Sequence, residues 1–147
     1  MGGSMEQAKF GKVEGYKTLT VYQKAYELAI MTYQLTRKFP KEEVYGLTAQ
    51  IRRAAISIPS NICEGYRRFS RNDYIRFLRM AYGSCAELQT QISICHDLEF
   101  MESTAHEKIS LQIEEVSKLL WRLLASLKVD AGDITASNLE NGETILS

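Results

Sequence analysis

Apolar residues recur along this chain at alternating steps of four and three. Val21, Ala25, Leu28, Thr32, Leu35 and Phe39 form one run, with Thr32 its weak position; Leu47, Ile51, Ala54, Ile58 and Ile62 form a second. Tyr74, Leu78, Ala81, Cys85, Leu88, Ile92 and Cys95 make a third, and Ile109, Ile113, Val116, Leu120, Leu123 and Leu127 a fourth. Such spacing keeps side chains on one face of a helix, and its near-heptad period suits a left-handed bundle. No window alternates as a strand would. Short connectors between these runs predict antiparallel neighbours, hence an all-α, up-down-up-down four-helix bundle.

The breaks between runs carry matching signals. Pro40 forces Phe39 out of the helical region and stops the first helix. Gly65 and the Arg67-Arg68-Phe69-Ser70 stretch loosen the chain before the third, which Ser70 or Asn72 is placed to cap. Ser103 or Thr104 with Glu107 resembles a capping box for the fourth. Pro59 lies inside the second run. It implies a continuous helix bent at that point, with Ser57 and Ser60 helping to satisfy freed backbone groups; the alternative is a helix that ends near Ser57 and restarts.

Three segments result: residues 1–15, a flexible leader whose Met1-Gly2-Gly3-Ser4 reads as a cloning scar before a native Met5; residues 16–128, the bundle; and residues 129–147, an acidic tail without an apolar stripe, expected to be disordered. Within 147 residues there are 2 prolines and 9 glycines, too few turn residues for an all-β domain. No apolar run is long enough to span a bilayer, and the first thirty residues lack a signal-peptide core. Cys63, Cys85 and Cys95, an odd number within apolar runs, fit reduced thiols in a cytoplasmic protein.

More apolar surface is present than one bundle needs. Tyr22, Tyr26, Ala29, Ile30 and Tyr33 run beside the first stripe, and Trp121 with Leu124 beside the fourth. Strips at helical spacing suggest a face for self-association; the plainer reading is a broad core edge with hydroxyls reaching water. Gly83 sits mid-helix, opposite Tyr74 and Ala81, where close approach of another backbone or a ligand would explain it, simple tolerance being the plainer reading.

A net charge of zero conceals segregation. Residues 16–80 carry twelve cations against five anions, net +7, whereas residues 81–147 carry four against eleven, net −7. The halves can attract each other within or between chains, or the basic half can hold a polyanion. Arg52, Arg53, Arg67, Arg68, Arg71, Arg76 and Arg79 fall within twenty-eight positions that contain no lysine. Guanidinium groups grip phosphate bidentately and stack on bases, so these seven are the candidate nucleic-acid contacts, with a paired or solvated face the competing reading. Ser57, Asn61 and Glu64, with Arg68, form a polar strip expected to fix helix register.

Catalytic signals are absent. His96 and His106 lack the spacing of a di-iron bundle, Cys95 and His96 project about 100° apart, and no zinc, Walker A or dinucleotide motif occurs. The expectation is a non-enzyme without metal or cofactor.

The segments LTVYQKA (residues 19–25) and GLTAQIRRAAISIPSNICEG (residues 46–65), then Arg68, Phe77-Leu78, Ala81, Gly83, Ser84, Glu87 and Leu88, resemble the four-helix bundle proteins, or 23S rRNA intervening-sequence proteins. Accessory proteins of diversity-generating retroelements are similar. Tyr22 stands where that family usually has tryptophan, and Cys63 where alanine is usual. The resemblance implies a ring-like homo-oligomer, a pentamer, with no enzymatic activity. Tyr22, Tyr26, Tyr33, Gly83 and Trp121 are then the expected oligomer interface. It further implies partners of two kinds: RNA or DNA, held with little sequence preference, or a protein such as a reverse transcriptase.

Overall fold

Each apolar run becomes a helix. A computed structural model of the chain describes residues 15–131, and the expected leader and acidic tail lie outside these apart from their inner ends. After a 3-10 turn at Gly15–Thr18 come α1 (Thr20–Thr36), a second 3-10 turn (Lys41–Glu43), α2 (Leu47–Tyr66), α3 (Arg71–Asp97) and α4 (Ser103–Ala131). There is no strand among the described residues. Each helix packs on two neighbours in a cyclic order α1, α2, α3, α4. Arg52 of α2 meets Thr36 of α1, Ser57 of α2 meets Ser84 of α3, Gln89 of α3 meets Ser110 of α4, and Lys24 of α1 meets Glu115 of α4. All four pairs run antiparallel, as the up-down-up-down expectation requires.

The core follows the four stripes with local exchanges. Leu28, Ile51, Ile58, Ile62, Leu78, Leu88, Ile92, Ile109 and Leu120 are fully buried. Thr32, the weak stripe position, is also fully buried, because its hydroxyl donates to the Leu28 carbonyl at 2.8 Å and leaves nothing polar unpaired. Leu124, assigned above to an outer strip, belongs to the core at 0% exposure, while Leu123 is half-buried at the edge. Steps of four or three from Leu120 are both helical, and packing against α3 and α1 selects the former.

The helix ends refine the expectations. α1 stops at Thr36, short of Pro40, and Phe39 still packs into the core. Glu43 reaches forward so that its carboxylate accepts from the Leu47 N–H at 3.2 Å, placing an anion at the positive end of α2. α2 runs continuously through Pro59, and the Ser57 hydroxyl bonds the Ala54 carbonyl at 2.7 Å one turn earlier. Ser70 caps α3 by accepting from the Asp73 N–H. The capping box on α4 does not form: Glu102 supplies the first helical carbonyl, and the Ser103 hydroxyl lies 3.0 Å from His96 Nε2. α4 also continues to Ala131, one turn further than the apolar pattern predicted.

Candidate arginine-rich interface

The α2–α3 hairpin is drawn tight by Gly65. A Cβ there would lie 2.6 Å from Phe77 Cβ and 3.1 Å from Tyr74 Cδ1, so the glycine lets α2 and α3 close at their joined ends. Tyr66 and Tyr74 meet edge to face at 5.9 Å beneath the turn. Gly65, expected to loosen the chain, is instead the close contact, while the space around Gly83 is open within one chain, with nothing within 4 Å of a Cβ there.

On this closed end sit five of the seven arginines. Arg68 and Arg76 both place their guanidiniums over the buried Phe77 ring, at 5.0 and 4.7 Å from its centroid. Each is also held by a carboxylate: Arg68 by Glu64 at 2.9 Å, Arg76 by Asp73 at 3.6 Å. Their long side chains are thereby pre-positioned while about half of each remains open to solvent. Arg76 is thus paired yet exposed. Arg67 is exposed and Arg71 half-buried. Arg79 is half-buried as well, and its Nε is buried without a hydrogen-bond partner. Phe69, at the tip of the turn, is 85% exposed and had been read only as a loop residue.

Arg52 and Arg53 are elsewhere. Arg52 turns toward α1, where its Nε donates to Thr36 Oγ1 at 2.8 Å and its guanidinium covers the Tyr33 ring at 4.7 Å. Arg53 lines a groove of about 420 Å3 between α2 and α3 with Ser57, Asn61, Met80, Gly83, Ser84 and Glu87. The cluster that is contiguous in sequence is therefore split in one chain, since α2 carries Arg52 and Arg53 thirteen or more residues, roughly 20 Å, before its end at the turn. The polar strip divides too. Ser57 shares a 2.6 Å hydrogen bond with Ser84 and pins α2 to α3, Asn61 donates to the Ser57 carbonyl of its own helix, and Glu64 serves Arg68.

The expected interface residues occupy three sides of the bundle. Tyr22, Tyr26 and Tyr33 line an apolar groove of about 440 Å3 between α1 and α2, together with Ala29, Ile30, Ile56, Pro59 and Cys63. Tyr26 and Ile30 are about half exposed there, at 54% and 48%. Trp121 is half-buried on the α3–α4 side, its ring 6.4 Å from that of Tyr82. Gly83 faces outward between α2 and α3.

Of the ion pairs among the described residues, Lys24–Glu115 at 3.7 Å joins the basic half to the acidic half, and the others are local to one helix or turn. Among the described residues, none of the seven arginines pairs with a carboxylate of the acidic half. Burial pushes the Cys85 and Cys95 thiols up to about 11, which makes them packing groups and not nucleophiles. Tyr16 is held above the usual phenol value, first by its hydrogen bond with Cys63. No described helix is long and apolar enough to cross a membrane.

The model of the 23S rRNA-intervening sequence protein family matches residues 17–122. The chain belongs to this family. A crystal structure of a Bacteroides thetaiotaomicron protein of unknown function, described as from the S23 ribosomal protein family, superposes with a TM-score of 0.67. It is 26% identical, and the match covers 71% of this chain and 95% of that one. No curated protein matches. The family match spans every residue of the arginine cluster, all three interhelical connections and the tyrosine groove, so these features sit within the family fold and not in an appendage.

Proposed function

We propose that this family member is a non-enzymatic, cytoplasmic homo-oligomer, a pentamer, that binds RNA or DNA through the phosphates with little sequence preference. The observation that carries the reading is the α2–α3 end, where five arginines gather and two are ordered over Phe77, paired among the described residues only with Glu64 and Asp73 of the same hairpin. Ordered guanidiniums lose less entropy on gripping phosphate. Repetition of the hairpin around a ring would multiply a field that one copy supplies weakly. A closed ring needs two different faces to meet, and the tyrosine groove on α1–α2 and the Trp121 side on α3–α4 are a suitable pair.

Mobility-shift titrations at about 50 and 200 mM salt test the binding. With three to five phosphate contacts per chain the affinity should fall about 20- to 500-fold across that range. Arg67→Glu with Arg76→Glu, both exposed, should abolish the shift while leaving the circular dichroism spectrum unchanged. Absence of binding at low salt, or binding indifferent to salt, rejects the reading. Sedimentation at micromolar concentration tests the assembly, and a lone protomer rejects it.

The second reading is an adaptor that docks a protein such as a reverse transcriptase, and the apolar tyrosine groove favours it. Nuclease separates the two, because a direct protein contact survives digestion of nucleic acid.

A further inference from the structure

We infer that Phe69 is a stacking platform for an unpaired base, so that the α2–α3 hairpin takes single-stranded nucleic acid in preference to a duplex. The inference rests on the phosphate-binding reading above and adds the class of substrate. Two phenylalanines lie on this hairpin and are treated differently. Phe77 is buried, with the Arg68 and Arg76 guanidiniums over it. Phe69 is 85% exposed, makes no ring contact among the described residues, and has Arg67, Arg68 and Arg71 within two positions on either side.

A lone exposed aromatic needs no explanation by itself. Its setting gives this one a meaning. Residues 64–79 hold five arginines against two carboxylates, net +3, so a polyanion is drawn to the turn where the ring is presented. Once a phosphate is gripped beside the turn, its own base is the nearest flat apolar surface available to the ring. Every base offers such a face, which agrees with low sequence preference. In a duplex the faces are already occupied by neighbouring pairs, and reaching one costs the unpairing energy. Tyr45 is the internal control: it is 96% exposed at the other end of the bundle, beside Glu42 and Glu43.

Fluorescence anisotropy with labelled oligo(rU), oligo(dT) and a mixed-sequence duplex, each about 16 nucleotides long, tests this in the full chain. Phe69→Ala should weaken single-strand binding about 5- to 150-fold, the range of one base–aromatic stack, with the salt slope unchanged. Duplex binding should stay within about twofold, Phe69→Trp should keep wild-type affinity, and Tyr45→Ala should do nothing. A loss with oligo(rU) alone or oligo(dT) alone supports the inference and assigns the source. An unchanged single-strand affinity, an equal loss on the duplex, or an equal loss from Tyr45→Ala overturns the inference but leaves phosphate binding standing. Failure of the wild type to bind any probe at low salt removes the functional reading itself, and this inference with it.

Discussion

The two ends of α3 solve the same problem, a sharp reversal between antiparallel helices, by different means. At the α2–α3 end the turn is closed by side-chain economy: Gly65 admits Phe77 and Tyr74, and Ser70 caps the new helix. At the α3–α4 end, about 40 Å away along 27 residues, the backbone itself carries the turn. Glu99 adopts φ 64°, its N–H reaches the His96 carbonyl, and the Phe100 N–H reaches back to Cys95 at 2.9 Å. Phe100 then folds over the end of the core against Phe39. Charge separates the ends as well. Residues 97–102 carry three anions and no cation, opposite in sign to the arginine hairpin. One end is shaped by packing and dressed in cations, the other by a strained residue and dressed in anions.

The sharpest way to break this contrast is Gly65→Ala. The new methyl meets Phe77 Cβ at 2.6 Å, a carbon fixed to its backbone, so α2 and α3 must separate at their joined ends. The cost should be about 3 kcal/mol after helix propensity returns up to about 1 kcal/mol. Urea melts would read it as a lower midpoint. Gly83→Ala is the matched control: with open space at its Cβ it should stabilise the isolated chain by up to about 1 kcal/mol. Loss of assembly in that variant would place a second backbone against Gly83.

Alkaline pH probes the other end. Cys95 lies beneath Phe100 and its thiol is pushed up to about 11 by burial, as is that of Cys85 nearer the middle of α3. The folded state holds both as neutral thiols, whereas the unfolded chain releases these protons near pH 9. Their contribution is therefore complete below about pH 9 and is lost as pH rises toward 11. Each thiol should cost the fold about 2 kcal/mol by pH 11, seen as a falling Tm between pH 8 and 11. Cys95→Ala should flatten that decline, and an equally steep one in this variant would refute the assignment.

How much of this was legible beforehand follows the range of the interactions. The four stripes, the antiparallel order and the α2–α3 break are local patterns, and they could be read directly. Which of Leu123 and Leu124 points inward depends on the opposing helices, so the stripe alone chose wrongly. The same holds for the glycines: Gly65 matters because of Tyr74 and Phe77, which lie nine and twelve residues further on. The seven arginines look like one cluster in sequence, yet Arg52 folds back on Thr36 and Tyr33 of α1, and five gather at the turn. Phe69 carried a signal that was passed over, an apolar ring set among arginines in a turn with no stripe to join.

The smallest expected effect concerns the strained residue. Glu99 occupies the left-handed region, where a side chain costs roughly 1 kcal/mol and glycine almost nothing. Its N–H bond to His96 and the Phe100 bond to Cys95 complete the reversal that ends α3, so the backbone conformation is fixed by its neighbours and not by the side chain. Glu99→Gly should therefore keep the turn and raise stability by about 0.5–1 kcal/mol, the relief of strain being partly offset by the freer unfolded chain. Denaturant midpoints decide it against Glu99→Ala, which retains a Cβ and should gain nothing. If glycine and alanine behaved alike, the strain would lie elsewhere, and the two ends of α3 would differ in charge but not in how they are made.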